Sequence, residues 1–144
     1  MSDATNGLAD RLAIIDVTVD YCWALDTKSW DALDEVFTAD ATADLGRPLD
    51  GRESIKARIR HALEHLDDSQ HLVATHQVRV LGDEATCRCY LQAQHVRGGV
   101  DGGDTFMYAG RYEDRFVRTA DGWRIQHRDL VPMWTAGNPA VVGR

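Results

Sequence analysis

One aspartate in this sequence stands where a carboxylate is unfavourable unless it has partners. Asp26 continues an apolar stripe that begins at Leu8 and reaches Cys22 in alternating steps of four and three, the spacing of one helix face. The end of a helix carries partial negative charge, which disfavours a carboxylate there by about 0.3–1 kcal/mol. Either Asp26 caps the next turn in water, or it is a general base beside a pocket.

Histidines on the predicted strands are candidate partners for such a base. In the stretch ATCRCYLQAQH, a row of mostly small apolar residues ends at His95. The row comprises Ala85, Cys87, Cys89, Leu91 and Ala93. Because small inward residues leave space in a curved sheet, we predict that Cys89 and Ala93 shape a pocket with His95 at its wall. The alternative is a hydrogen-bonded histidine in a packed core.

Two further histidines lie on opposite faces of the preceding predicted strand. His76 accompanies the apolar residues Val78 and Val80, whereas His71 accompanies the more polar row that contains Gln77 and Arg79. Alternation alone therefore favours His76 as the residue that faces the interior, and it does not select His71.

Metal chemistry is weakly indicated. His127 and Asp129 form an H-x-D pair, a pattern also found in iron sites of two histidines and one carboxylate. Such a site needs another histidine, normally downstream, and no histidine follows His127. His61 and His65 lie in HALEH, which is not the zinc motif H-E-x-x-H. The sequence predicts no metal and no other cofactor.

Three helices are predicted to precede the strands. The first runs from about Leu8 to Leu25, with a flanking apolar row of Ile14, Thr18, Tyr21 and Leu25. The second is short, with Ser29 as its cap. The third begins near DGRESI, where Asp50 and Glu53 have capping-box spacing. The residues predicted to be buried by these two are Trp30, Leu33 and Phe37, then Ile55, Ile59, Leu63 and Leu66.

Four strands follow, because the apolar period changes from that of a helix to two. They are HLVATHQVRVL, ATCRCYLQAQHV, TFMYAGRYEDRFV and GWRIQHRDLVPMW, with a further short strand predicted around ATADL. Gly82-Asp83 and Asp121-Gly122 predict two hairpin turns. Helices first and long strands afterwards indicate an α+β fold, with the helices on one face of a mostly antiparallel sheet. A strongly curled sheet would leave a pocket between the two layers.

Composition limits the class of partner. The chain has 144 residues, enough for a single domain with its own core, here 1–144 with a polar tail at 1–6. Its formal charge of −7 argues against binding to nucleic acid or to an anionic membrane. No secretory signal or membrane-spanning run is visible, and three cysteines fit no disulfide framework. We therefore predict a cytoplasmic protein.

Three stretches, in this order, resemble the SnoaL-like branch of the nuclear transport factor two-like superfamily. They are YCWALDTKSWDALDEVFTADA, SQHLVATHQVRVLGDEA and GRYEDRFVRTADGWRIQHRD. The branch includes scytalone dehydratase, bile-acid dehydratase and hexachlorocyclohexane dehydrochlorinase. The resemblance covers nearly the whole chain, and it implies a cone-shaped fold in which a curved sheet wraps around N-terminal helices and encloses a deep apolar pocket.

The resemblance also implies roles for individual residues. The branch's metal-free lyases place an aspartate at the end of helix one, matching Asp26, and a histidine in QHL, matching His71. A bulge or the end of the strand is then expected to turn His71 inward. His95 matches a second pocket histidine, and Tyr21 matches a pocket tyrosine on helix one.

Two positions depart from scytalone dehydratase. Leu25 and Leu45 stand where that enzyme has tyrosines that help to hold a water and the substrate. Both leucines are expected to line the pocket, and scytalone itself is not the expected substrate.

These residues together predict a lyase without a cofactor that performs a dehydratase-type elimination on an apolar cyclic molecule. Asp26 and His71 would move the proton, and His95, Tyr21 or Arg128 would polarise a substrate oxygen. An isomerase or polyketide-type cyclase that uses the same base is one alternative. A non-catalytic ligand-binding or scaffolding protein is the other. The branch also implies a homo-oligomer, a trimer rather than a dimer, through the outer sheet face near Trp134.

Overall fold

The computed structural model describes residues 3–143, which form two helices, six strands and two short 3₁₀ turns. The helices are α1 (Asp3–Asp26) and α2 (Arg52–Leu63), and the 3₁₀ turns are Trp30–Glu35 and Pro139–Val141. The strands are β1 (Phe37–Asp44), β2 (Pro48–Asp50), β3 (Asp68–Leu81), β4 (Glu84–Val96), β5 (Thr105–Thr119) and β6 (Gly122–Gly137). Helix α1 therefore begins at Asp3, so residues 3–6 of the predicted tail are helical.

All six strands form one open sheet in the order β2-β1-β6-β5-β4-β3. Neighbours are antiparallel except for β1 and β6, which are parallel. The predicted α+β class and the four long strands are confirmed. Both predicted hairpin turns are present, and Gly82 (φ 62°) and Gly122 (φ 110°) adopt the positive φ that such turns favour.

Helix α1 faces the sheet with the row that we predicted to be its flank. Ile14, Thr18 and Tyr21 are buried, whereas Leu8 and Leu12 of the predicted inner stripe are 58% and 55% exposed. The prediction that the stripe beginning at Leu8 is the buried one is therefore wrong. The two rows adjoin on a wide apolar side of the helix, and helical periodicity does not say which of two adjacent rows meets the sheet. Val19, also in the predicted stripe, lines an open groove beside the edge strand β3.

The predicted helix caps differ from those observed. The Ser29 side chain makes no capping bond, and its hydroxyl contacts that of Thr27 at 2.9 Å. Helix α2 begins after Gly51 (φ 88°), so the Asp50–Glu53 capping box does not form. The predicted buried residues Ile55, Ile59, Leu63 and Leu66 are all buried, although Leu66 lies beyond the helix end. Leu33 and Phe37 are also buried, with Phe37 in β1, whereas Trp30 is only partly so.

Strand β3 contains a bulge that changes which side chains face inward. The pairing with β4 passes from Ala74↔Tyr90 to Gln77↔Arg88, so β3 has one extra residue there. Thr75 lies in this stretch with φ 60°, an uncommon conformation for a β-branched residue. Before the bulge the odd-numbered residues are the less exposed, and after it the even-numbered ones are. His71 and His76 therefore face the same side, which simple alternation does not allow.

The outer face of the sheet keeps several large apolar side chains in solvent. Tyr90, Met133 and Trp134 are about half exposed. The predicted homotrimer through this face stays a prediction. Among residues 3–143, no helix is both long enough and apolar enough to cross a membrane.

Candidate active site

The Asp26 carboxylate receives three hydrogen bonds from the first part of β3. Nδ1 of His71 lies 2.6 Å from Oδ1, and the His71 backbone N–H donates to Oδ2 at 2.8 Å. The Ser69 hydroxyl donates to Oδ1 at 3.0 Å. These bonds offset the unfavourable position of Asp26 as the last residue of α1. The side chain is 19% exposed, so Asp26 is neither free in water nor a simple cap.

His71 is oriented by this contact. Because Nδ1 donates to the carboxylate, Nε2 carries the lone pair and is able to accept a proton. Only 5% of the His71 side chain is exposed. His76 has a different partner, since its Nε2 lies 2.8 Å from the Thr18 hydroxyl of α1.

A second histidine stands beside the first. The rings of His71 and His95 meet edge to face, with centroids 6.0 Å apart. Nδ1 of His95 lies 2.9 Å from the Phe106 carbonyl oxygen and donates to it, which leaves Nε2 as an acceptor. Burial lowers the pKa of His95 below its ordinary value, and the bond to the Phe106 carbonyl only partly opposes this. His95 is therefore neutral near pH 7.

Both rings line a cavity of about 190 Å³ between the helices and the sheet. Its wall is mostly aliphatic and aromatic, with the two histidines, three tyrosines and one arginine as its polar groups. The lining residues are Tyr21, Leu25, Leu45, Arg58, Ile59, Ala62, Leu63, His71, Leu91, Ala93, His95, Phe106, Tyr108, Tyr112, Leu130 and Val142.

Most of the residues predicted for the site lie at this cavity. Tyr21, Leu25, Leu45 and Ala93 line it with the two histidines. Asp26 stands behind His71 and is reached from the other side, through a groove of about 560 Å³ between α1 and β3. His71 lines both the cavity and the groove.

Cys89 and Arg128 are not among the residues that line the cavity. Cys89 is buried, and desolvation raises the pKa of its thiol to about 12. Cys89 shares its row with Ala93 but comes earlier in β4, before Leu91, the first residue of that strand to line the cavity.

Arg128 has a structural position instead of the predicted substrate contact. It is fully buried, and its Nε and Nη2 each donate to the Asp114 carboxylate at 2.7 Å. The guanidinium lies 4.3 Å from the Tyr21 ring centroid and 3.7 Å from that of Tyr112. Burial lowers the pKa of Arg128, but the attraction of Asp114 more than reverses this, so the guanidinium stays charged.

The pair His127 and Asp129 is satisfied within the protein. His127 Nε2 lies 2.9 Å from Asp129 Oδ1, and its Nδ1 lies 2.7 Å from the Thr42 hydroxyl. Across the part of the chain that the structure describes, no three His, Cys, Asp or Glu side chains are grouped as metal ligands.

A sequence profile of the SnoaL-like domain matches residues 6–129. The chain belongs to the SnoaL-like family. An uncharacterised protein of Mycobacterium tuberculosis is 39% identical over 125 residues, which is 84% of each chain.

Two solved structures show how far the fold of this SnoaL-like protein is shared. A structure provisionally named scytalone dehydratase, from Novosphingobium aromaticivorans, aligns with a TM-score of 0.84 at 21% identity over 98% of both chains. A hexachlorocyclohexane dehydrochlorinase of Novosphingobium barchaimii aligns with a TM-score of 0.81 at 16% identity over 95% of both chains. At these identities the similarity shows the cone fold of the nuclear transport factor two-like superfamily, and the recognition from the sequence is confirmed.

Three polar residues of the SnoaL-like cavity were missed from the sequence. Tyr108 and Tyr112 occupy alternate inward positions of β5 together with Phe106, so the period of two in TFMYAGRY carried a usable signal. Arg58 lies on α2 one position before the buried Ile59, at the margin of an inward helix face. In the sequence, an arginine at such a margin cannot be told from an arginine on a solvent-exposed helix face. The sequence therefore gave no sign that Arg58 lines the cavity.

The lowered pKa of His95 predicts acid sensitivity of the SnoaL-like fold. The unfolded chain binds a proton at His95 near pH 6.5, whereas the native protein does so only at lower pH. The free energy of unfolding should therefore fall as pH drops below about 6.5 and level off below the native pKa, with at most about 1.4 kcal/mol per pH unit from this group. The pKa of His76 is also lowered, mainly by burial, so His76 too lowers the free energy of unfolding as the pH falls.

Urea unfolding between pH 8 and pH 5 measures this dependence, with His95→Gln as the variant that removes one titrating ring. We expect a smaller decrease on acidification in His95→Gln than in the wild type. An equal decrease in both proteins would contradict the assignment of His95 as a buried neutral histidine.

Proposed function

We propose that this SnoaL-like protein is a lyase that removes water, or a comparable leaving group, from an apolar cyclic small molecule without a cofactor. The observation that carries the proposal is the 2.6 Å contact between Asp26 and His71 Nδ1, on a ring that also lines the cavity. A carboxylate-oriented imidazole with a free Nε2 beside an apolar cavity is an arrangement suited to general base catalysis.

In the proposed reaction, His71 Nε2 takes a proton from the carbon next to a substrate carbonyl. The electrons of that C–H bond form the new C=C bond as the C–O bond to the leaving hydroxyl breaks. The imidazolium returns its proton to the departing hydroxide, which leaves as water. Asp26 stabilises the transient imidazolium, and a Tyr21 hydroxyl is able to donate to the carbonyl oxygen because burial raises its pKa and keeps it protonated.

Two structural neighbours bear names of the same reaction type. One is provisionally named a dehydratase and the other a dehydrochlorinase, and both names denote eliminations. They support the proposal only by analogy of fold, because one fold hosts many activities. The observation in this chain that supports an elimination is the hydrogen-bonded pair of Asp26 and His71, which we call the dyad.

The test is a dehydration assay with a panel of monocyclic β-hydroxy ketones, both neutral ones such as 3-hydroxycyclohexanone and ones that bear a carboxylate, followed by the ultraviolet absorbance of the enone product. Wild-type protein should accelerate the reaction of at least one compound of the panel. Ala93→Phe should abolish the acceleration, because the added ring fills the cavity beside His71 and His95.

The matched control is Ala32→Phe, which adds the same ring at an exposed position of the first 3₁₀ turn. Circular dichroism should show both variants folded, since overpacking at Ala93 costs about 1–3 kcal/mol. Equal acceleration by Ala93→Phe and the wild type would exclude this cavity as the site of reaction. Failure of the wild type to accelerate any β-hydroxy ketone would exclude the dehydratase proposal.

A further inference from the structure

Arg58 lies between the cavity and an outer basin. It lines the 190 Å³ cavity, and it also lines an outer basin formed by the β1–β2 turn and β6. Tyr108, Leu45 and Leu130 line both spaces as well, so these four residues lie where the cavity meets the basin, a place that we call the cavity opening. His71 and His95 line the cavity but not the basin, so the opening is at a different place from the histidine pair.

The guanidinium of Arg58 contacts the β1–β2 turn. Its Nε donates to the Leu45 carbonyl oxygen at 3.4 Å, a long hydrogen bond. A Cβ at Gly46 would lie 3.6 Å from Nη2, which places the end of the side chain beside the β1–β2 turn.

Arg58 differs from the other cations of α2. Arg52 and Lys56 contact Asp34, and Arg60 contacts Glu64 at 2.6 Å. Among the side chains of residues 7–143, none of the ion pairs within 4.0 Å includes Arg58. Asp44 and Asp129 line the outer basin but not the cavity, so Arg58 is the one charged residue that the two spaces share. A guanidinium with free N–H groups at an apolar cavity is a site for an oxygen anion.

Tyr108 adds a neutral donor next to this charge. Burial raises the pKa of Tyr108, so its hydroxyl remains protonated and is able to donate a hydrogen bond. The cavity thus has a positively charged donor and a neutral donor at its opening, and two histidine acceptors elsewhere on its wall.

The size of the cavity limits what binds between these two ends. A cavity of about 150 Å³ in a protein core accommodates one benzene molecule. The cavity here, about 190 Å³, therefore has room for one ring and a small substituent.

We propose that the substrate is a monocyclic compound with a carboxylate, which Arg58 and Tyr108 bind at the cavity opening while the reacting carbon faces His71. This inference rests on the proposed function for the identity of the reacting end, but the binding of the anion does not depend on turnover. Arg58 is then the residue that selects anionic over neutral ring compounds.

Isothermal titration calorimetry with benzoate and with benzamide, its neutral analogue, tests the proposal at pH 7.5. Wild-type protein should bind benzoate more tightly than benzamide. Arg58→Met should weaken benzoate binding by about 10- to 100-fold, the usual effect of losing a hydrogen bond to a charged group, and change benzamide binding by less than about twofold. Arg58→Lys keeps the charge without the planar fork and should give an intermediate affinity.

Arg60→Met is the matched control, because Arg60 is an exposed arginine on the same helix and is paired with Glu64. It should bind both probes as the wild type does. Circular dichroism checks that each variant is folded, and Arg58→Lys keeps the test decisive if Arg58→Met does not fold. Equal benzoate affinity in Arg58 variants and wild type, equal affinity of the wild type for both probes, or no benzoate binding at millimolar concentration would each overturn the proposal.

The same titrations in Asp26→Asn separate this inference from the proposed function. Benzoate should bind Asp26→Asn as it binds the wild type, because Asp26 does not line the cavity. If Arg58→Met binds benzoate as the wild type does while turnover still depends on Asp26, only the carboxylate site is overturned. If Arg58→Met weakens benzoate binding while turnover does not depend on Asp26, only the proposed reaction is overturned.

Discussion

Asp26→Asn is expected to leave the protein folded and to reduce turnover by about 10²–10⁴-fold, the range of a positioned proton transfer. The amide has nearly the shape of the carboxylate, but it has one acceptor oxygen in place of two. With that oxygen at the Oδ2 position it still accepts the hydrogen bond of the His71 backbone, and its NH2 group is able to donate to the Ser69 hydroxyl. It has no negative charge, however, to stabilise the imidazolium that forms when His71 takes a proton. The loss should therefore appear in kcat more than in KM.

His71→Ala should reduce kcat at least as much as Asp26→Asn does. The double variant should be little worse than the more impaired single one, because two residues that act as a unit give non-additive losses. Asp20→Asn is the matched control, since Asp20 is an exposed carboxylate of the same helix. Losses that multiply in the double variant would show that Asp26 and His71 act independently, and a kcat of Asp26→Asn equal to that of the wild type would exclude the dyad.

Arg128→Met is expected to destabilise the fold by about 3–5 kcal/mol, because it leaves the fully buried Asp114 without its counter-charge. The guanidinium also packs against the rings of Tyr21 and Tyr112, so the variant loses those contacts as well. Urea unfolding at pH 7.5 measures the change. Asp114→Asn should also lower the free energy of unfolding, since it leaves the guanidinium buried without an anion.

The double variant Asp114→Leu/Arg128→Met distinguishes a buried charge from lost packing. Replacing both ions by apolar side chains removes the unpaired charge and should recover most of the lost free energy of unfolding. The control is Arg111→Met, which breaks a partly exposed ion pair with Glu113 and should cost less than about 1 kcal/mol. If Arg128→Met costs no more than Arg111→Met, the Asp114–Arg128 pair does not stabilise the core.

Much of this fold could be predicted from local patterns. The four long strands were identified because alternation over more than ten residues is a strong signal, and glycine at Gly82 and Gly122 marked the turns. The inner row of α1 was not identified, since Leu8 and Leu12 are as apolar as the residues that actually meet the sheet. That choice depends on where the sheet ends, which is a property of the tertiary structure.

The candidate site was predictable only in part for a related reason. Alternation correctly gave Ala93 and His95 as inward residues of β4, but it gave the same direction for Cys89, which does not line the cavity. The pattern of one strand tells which face a side chain joins, whereas the depth of a cavity depends on neighbouring elements. The same limitation applies to Arg128, whose inward direction leads to Asp114 and not to the cavity.

The bulge at Thr75 has a consequence for how the gene can vary in length. Ser69 and His71 face inward on one side of the extra residue and Val78 on the other, so each side keeps its own alternation. Codon substitutions on either side therefore alter the chemistry or the packing separately. Removal of a single codon between Ala74 and Gln77 would remove the extra residue and leave His71 and Val78 an even number of residues apart, so a regular strand would still hold both inward. Single-codon deletions should accordingly be tolerated at this point of β3 and in the glycine-rich segment 97–104, but not between Ser69 and His71, where they would turn one of these two side chains outward.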